Sequence, residues 1–304
     1  MKKLVSIVVN YNSGTYLLKC VESLLASKLP DDLSHTICVV DNASTDKSLD
    51  SVKHLQTEVV SIISNDKNLG FSAANNQAFN RLASDYYACV NPDCQVGEET
   101  LSRVIRALEE DSTVAVASCV IYNSDGSVQK TCKRRFPTPG SALVRMFGLS
   151  RVDSGIFQDF DQGADGSLNT KMKGTVEYVE AISGAFFVMP KRSLQTIGLL
   201  DEGYFMHCED LDYCMRARLA GYHVGFLDST SVVHSKGESS KGARLRVLWY
   251  LHKGMGRFYK KFYQGKYPLI VTIFVYIGIG VRFLAKCCQS IIARLFQVRQ
   301  PLNG

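Results

Sequence analysis

Four short apolar runs, residues 4–9, 36–40, 59–64 and 86–90, each stop at a polar turn, and helix-length stretches separate them. Parallel strands cannot be joined by a tight turn, so strands alternating with helical crossovers predict a largely parallel sheet covered on both faces. The first crossover carries Leu17, Val21, Leu24 and Leu25 on one stripe of a helix over 16–27, and another helix is expected from Phe71 to about Leu82. The polar turns Asn10-Tyr11-Asn12, Asp41-Asn42, Asn65-Asp66 and Asn91-Pro92-Asp93 then gather on the carboxyl edge of the sheet. Ligands of open α/β sheets bind at that edge. Pro92 cannot donate to a ladder, so the sheet is expected to end there and hold Asp93 at its rim.

The commonest phosphate loops are missing. A dinucleotide fold would place Gly-x-Gly-x-x-Gly after the first strand, whereas this chain has Asn10-Tyr11-Asn12-Ser13-Gly14, and no P-loop follows any strand. Asp41 is suited to accept hydrogen bonds from a base or ribose hydroxyls. Asp41, Ser44 and Asp46 are equally suited to cap the next helix.

The second half opens with a helix stripe, Leu101, Val104, Ile105 and Leu108, and a strand over 114–122. Asp125-Gly126 makes a turn, and residues 128–132 are expected to return as a hairpin. Lys133-Arg134-Arg135 follows, before the irregular loop Phe136-Pro137-Thr138-Pro139-Gly140. Residues 153–174 read as a long loop over a site, rich in Gly, Asp and Ser. Apolar character resumes over 176–189, interrupted by Ser183-Gly184-Ala185, where a glycine permits close approach. Glu209, Asp210 and Asp212 then crowd the start of a helix over 211–220. The helix dipole favours them there, but three carboxylates in four residues are costly crowding if all are ionised, which a general base or a nearby cation explains better. A further strand over 224–227 and Ser231 to Val233 lead to His234, which alone reads as an ordinary hydrogen-bonded histidine.

Charge divides the chain. Residues 241–304 hold twelve Lys and Arg and no Asp or Glu, so the net +6 of the whole leaves −6 for residues 1–240. Basic residues interleave with aromatic and aliphatic ones over 244–266, as in an amphipathic helix at a bilayer surface or one packed on the body. Residues 268–281 are an apolar run of fourteen, shorter than the ~20 a membrane span needs. A monotopic or shallow anchor on an anionic membrane surface is the expectation, with a true span as the alternative. Nucleic acid is the rival partner for such charge, but no recognised binding module accompanies it. The ten cysteines form no C-x-x-C pair and several sit in strand-like runs, which predicts reduced core thiols in a cytosolic setting. The run over 4–9 is too short for a signal-peptide core.

Six stretches, in order and suitably spaced, resemble the family 2 glycosyltransferases of the GT-A fold, and within them the rhamnosyltransferase-like branch. They are Val8-Val9-Asn10-Tyr11-Asn12, the segment from Val39 to Asp46, the segment from Asn68 to Asn76, Asn91-Pro92-Asp93, Gly184-Ala185 with Phe205-Met206 and Glu209-Asp210-x-Asp212, and Val232-Val233-His234. The resemblance implies a catalytic domain over 1–240, its nucleotide-sugar half ending at 94 and its acceptor half running over 95–240, with a membrane-associating helical region over 241–304. It implies donor contacts from Asn10, Asn12, Asp41, Asn68, Gly70, Asn75, Asn91, Asp93 and Gly184. Mg²⁺ or Mn²⁺ would be held by Asp93 and His234. Asp210 would be the catalytic base and Glu209 its catalytic neighbour, shaping the acceptor pocket, with Asp212 structural. One departure stands out: Asn91 occupies the first position of the family's D-x-D motif, leaving Asp93 as its one carboxylate. Implied partners are a nucleoside-diphosphate sugar, dTDP-L-rhamnose above UDP-hexoses, and a lipid-linked saccharide at the cytoplasmic face of the cell membrane. Lys236 and Glu238-Ser239-Ser240 would close over the donor diphosphate, and Lys133-Arg134-Arg135 would approach the lipid diphosphate of the acceptor, or else form a solvated basic loop. A catalytically silent binding protein on the same fold is the alternative, and Asn91 is its main support.

Overall fold

The computed structural model describes residues 1–140, 172–235 and 244–297. Most of the loop expected over 153–174, and the flap expected at Lys236 and 238–240, lie outside the described residues. Contacts group the chain into two compact units. The larger draws its described residues from 1–136, 172–205 and 209–235, the smaller from 137–140, 206–208 and 244–297.

The larger unit is built on a ten-stranded sheet. Its first half is the predicted alternation: β1 (Lys2–Asn10), α1 (Tyr16–Leu25), β2 (Leu33–Asp41), a short α2 (Asp50–Lys53), β3 (Val60–Ser64), α3 (Phe71–Arg81) and β4 (Tyr86–Val90). The strands run parallel in the order β3-β2-β1-β4. Register aligns Asn10 with Asp41 and Asp41 with Ser64, so the polar turns share one edge. Leu4, Ile7, Ile37 and Val39 are fully buried, and Leu17, Val21 and Leu24 of α1 are buried as the helical stripe requires.

The sheet does not end at Pro92. Asn91-Pro92-Asp93 is a tight turn closed by Cys94 N–H on Asn91 O, and β5 (Cys94–Val96) starts immediately. It pairs antiparallel with the far end of β12 (His223–His234), setting Cys94 opposite His234. Between them the chain forms α4 (Thr100–Glu110), β6 (Val114–Tyr122), β7 (Lys133–Arg134), β8 (Met172–Lys173), β9 (Val176–Val179), β10 (Ala181–Ile182), β11 (Phe186–Pro190), α5 (Lys191–Ile197) and α6 (Glu209–Leu219). Here the sheet is mixed. β11 lies antiparallel between β4 and β6, whereas β6 and β12 are parallel. The hairpin expected over 128–132 reduces to a single bridge, Tyr122 to Val128. Lys133 and Arg134 instead pair with Ile182 and Ala181 in a two-stranded ribbon.

The smaller unit holds α7 (Arg244–Phe262) and α8 (Leu269–Gln297). Tyr259 stacks edge-on to Tyr276, and His252 to Phe283, so the two helices run antiparallel. The apolar run of fourteen is part of a longer helix that passes through Arg282 and Lys286 without interruption. Four residues apart, these cations share one face and do not break the helix. Over Leu269–Ile292, 24 residues of mean hydropathy 1.9, α8 is long and apolar enough to cross a membrane.

Candidate active site

At the carboxyl edge of β1 and β2 the polar residues lock one another. Asn10 Nδ2 donates to Asp41 Oδ1 at 2.7 Å, and Ser44 N–H donates to Asp41 Oδ2 at 3.0 Å. Asn12, at φ +52°, accepts from Thr45 N–H at 2.7 Å, and Asp46 accepts from Gly14 N–H at 2.8 Å. These side chains knit two loops together. They do not cap α2, whose N-cap is Leu49 without a side-chain bond. Asp41 is buried, and each oxygen keeps room for one more donor.

Asn68 Oδ1 accepts from Gly70 N–H at 2.9 Å, fixing the entry to α3. Gly70 sits at φ +87°, and a Cβ there would stand 2.4 Å from Phe205 O, the carbonyl that accepts from Phe71 N–H. Glycine is thus demanded by a close backbone approach. Asn75 is fully buried and donates to Phe71 O within its own helix. Asn91 contributes backbone bonds: its N–H donates to Ala185 O at 2.8 Å and its side chain is half-buried.

The β5–β12 pairing brings Asp93 and His234 together, with His234 Nε2 3.0 Å from Asp93 Oδ1. Gln129 fixes the imidazole: its Nε2 donates to His234 O at 3.0 Å, which leaves Oε1 to face His234 Nδ1 at 3.2 Å. Nδ1 therefore carries the proton. Nε2 then aims a lone pair at a carboxylate, and only a proton or a cation between them makes that contact favourable. Asp93, Cys94 and His234 have potential ligand atoms within 4.8 Å of one another. Cys94 is a poor ligand, since burial first and the charge of Asp93 second push its thiol well up, and its Sγ–H donates to Ala185 O. A carboxylate with an imidazole suits Mn²⁺, and suits Mg²⁺ less well.

The three crowded carboxylates are relieved in three different ways. Asp212, fully buried, accepts from Arg216 Nε at 2.6 Å, and the same guanidinium donates to Ile197 O and Leu199 O. Asp210 Oδ2 accepts from Arg134 Nη1 at 2.6 Å and from Gly184 N–H at 2.9 Å, while Oδ1 accepts from Leu211 N–H at 2.7 Å. Among the described residues Glu209 has no cation of its own: burial, then the charge of Asp210, push its carboxyl up to about 8. A Cβ on Gly184 would stand 3.3 Å from the Asp210 carboxylate. Lys133 is ion-paired to Glu177. The basic group at 133–134 therefore serves carboxylates of its own unit, which corrects the expectation that it faces a lipid diphosphate or solvent. Sequence reasoning missed Arg134 and Gln129 as neighbours of the site. The unmatched negative charge at 209–212 was the one signal for a cation.

Residues 6–162 match the model of glycosyl transferase family 2. Rhamnosyltransferase WbbL of Escherichia coli K12 is 25% identical over 239 residues, 75% of this chain and 81% of that protein. The N-acetylglucosaminyl-diphospho-decaprenol L-rhamnosyltransferase of Mycobacterium tuberculosis H37Rv is 24% identical over 246 residues, 77% of this chain and 76% of that one. Among solved structures, GalNAc-T7 with UDP, GalNAc and Mn²⁺ superposes with a TM-score of 0.62 at 15% identity, over 87% of this chain and 48% of that one. The present chain thus spans about half of that protein. The mannosyltransferase PcManGT of Pyrobaculum calidifontis, with GDP-Man and Mn²⁺, gives 0.58 at 15% identity over 98% of this chain and 80% of that one. The architecture is that of a GT-A glycosyltransferase. The chain belongs to glycosyl transferase family 2, on its rhamnosyltransferase-like branch.

Proposed function

We propose that this glycosyltransferase moves L-rhamnose, with inversion, from dTDP-β-L-rhamnose to a hydroxyl of a polyprenyl-diphosphate-linked saccharide. The reaction serves cell-surface polysaccharide synthesis at the cytoplasmic face of a membrane to which α7 and α8 attach the enzyme. Asp210 is the observation that carries the chemistry. Its Oδ2 is held by Arg134 and Gly184, so Oδ1 keeps the lone pair that can take a proton. An oriented carboxylate with an open lone pair is what a general base requires. The donor is supported by two relatives named as rhamnosyltransferases that align over 75% and 77% of the chain.

In the reaction the acceptor oxygen bonds to carbon 1 as the bond from carbon 1 to the diphosphate oxygen breaks, and the hydroxyl proton passes to Asp210 Oδ1. dTDP leaves. Attack opposite the leaving group turns a β-linked donor into an α-linked product. Asp41, braced by Asn10, receives hydrogen bonds from the base or ribose, and Asn12 keeps the loop carrying Ser44 in place. Asp93 and His234 would hold Mn²⁺ or Mg²⁺, which would supply positive charge for the leaving diphosphate. Glu209, protonated below about 8, adds no second negative charge beside Asp210 there.

The test is donor turnover by purified full-length protein with Mn²⁺ or Mg²⁺ and extracted lipid-linked acceptors. Release of dTDP from dTDP-L-rhamnose with sugar appearing in lipid supports the reading. Preference for a UDP-hexose sinks the donor assignment and leaves the mechanism intact.

A further inference from the structure

Between α7 and α8 lies a predominantly apolar cleft of about 420 Å³, within the range of about 300–1,000 Å³ common to small-molecule sites. Its α7 wall is drawn from positions three or four residues apart, Trp249, His252 and Lys253, Gly256 and Arg257, and Lys260, which fall on one helical face. The α8 wall is Tyr276, Ile279, Gly280 and Phe283, again one face. A Cβ added to Gly280 would meet nothing within 4 Å, so space stands open above it.

The cleft's polarity is asymmetric. Lys253, Arg257 and Lys260 run along α7 in exposed positions, and neither α7 nor α8 contains an acidic residue. His252 is 4% exposed and lines the same cleft. Its Nδ1 donates to Leu248 O at 2.7 Å, while Nε2 has no partner although it is buried. An orphaned buried polar atom is costly unless a ligand meets it. An apolar trough with one cationic wall and a waiting imidazole complements a molecule that is a multivalent anion at one end and a hydrocarbon chain at the other. Gly254, on the same helix, packs against His207 and Cys208, the residues that precede Glu209 in the chain.

We propose that the cleft between α7 and α8 binds the isoprenoid diphosphate of the lipid-linked acceptor. Lys253, Arg257 and Lys260 face the diphosphate, whose charge protonates His252 so that Nε2–H donates to one of its oxygens, and the first isoprene units lie over Gly280 against Ile279 and Phe283. This site rests on the lipid-linked acceptor given above, and it separates the holding of the lipid from the chemistry at Asp210.

Trp249 is the one tryptophan of the chain and lines the cleft, so its emission reports occupancy directly. Full-length protein in neutral phosphatidylcholine nanodiscs, without donor or metal, is titrated with farnesyl diphosphate, farnesol, inorganic pyrophosphate and phosphatidylglycerol. Saturable change with farnesyl diphosphate, at least about tenfold tighter than with farnesol or pyrophosphate, is expected because charge-assisted contacts and apolar burial act together. Gly280→Leu, which fills the open space and suits a helix, and Lys253→Ala with Lys260→Ala should each weaken it at least about tenfold. Their far-ultraviolet circular dichroism and melting should match the parent. An equal response to phosphatidylglycerol would reassign the cleft to general anionic lipid, and an equal response to pyrophosphate to free phosphate. Unaltered binding in the folded variants, or no saturable response, also overturns the proposal. No donor enters the titration, so failure of the rhamnosyl assignment leaves this result standing, and the converse holds.

Discussion

Arg134 decides how the Asp210 carboxylate behaves. Arg134→Ala removes the cation from a carboxylate that neighbours Glu209, so kcat should fall about 100-fold and the acid limb of the pH–rate profile should move to higher pH. Arg134→Lys should restore part of the rate. A profile unchanged in shape would show that Arg134 only stabilises the fold. Glu209 gives a prediction of opposite kind. Its carboxyl is raised from 4.5 to about 8, so the folded chain binds that proton more tightly than the unfolded one. Stability from this group is therefore full below 4.5 and is lost as pH rises towards about 8. Glu209→Gln, which cannot ionise, should gain in Tm over the parent at pH 8–9 and lose that advantage near pH 4; equal shifts at both pH values would refute it. The crowding at 209–212 was legible in the sequence, but which acid is protonated and which is paired was not. Arg134 and Arg216 reach their partners from 76 and 4 residues away respectively, and only the shorter spacing is readable along a helix.

Among elements, β5 and α6 matter most. Three residues of β5 bring Asp93 to His234, a pairing hidden because a strand so short has no periodicity to read and follows a proline turn. His234→Ala should raise the Mn²⁺ concentration needed for half-maximal turnover about 10- to 100-fold, and chelation should abolish parent activity reversibly. Turnover that persists through chelation would remove the metal from the mechanism. α6 is fastened by Asp212, whose Arg216 partner also holds the carbonyls at Ile197 and Leu199. Asp212→Ala leaves that guanidinium short of its counter-charge and should cost roughly 2–4 kcal/mol in urea unfolding, more than Asp210→Ala costs. If the order is reversed, Asp212 is not the structural member of the set.

At the scale of the molecule, the membrane attachment proposed for α8 concerns its exposed apolar face. Ile277→Glu with Leu284→Glu alters positions 52% and 62% exposed, so folding should survive while the full-length enzyme shifts to the soluble fraction on flotation. Retention with membranes would discard α8 as the anchor. The strand–helix alternation of the first half, the polar edge of its sheet, the acidic start of α6 and the basic tail could all be read from residue order. Each is a local property, set by periodicity, turn chemistry or charge within a few positions. The antiparallel insertion of β11, the return of β5, the grip of Arg134 on Asp210 and the orphaned Nε2 of His252 were decided by tertiary structure alone. These depend on pairings across many residues, where side-chain type sets what a contact is worth but not which contact the chain can close.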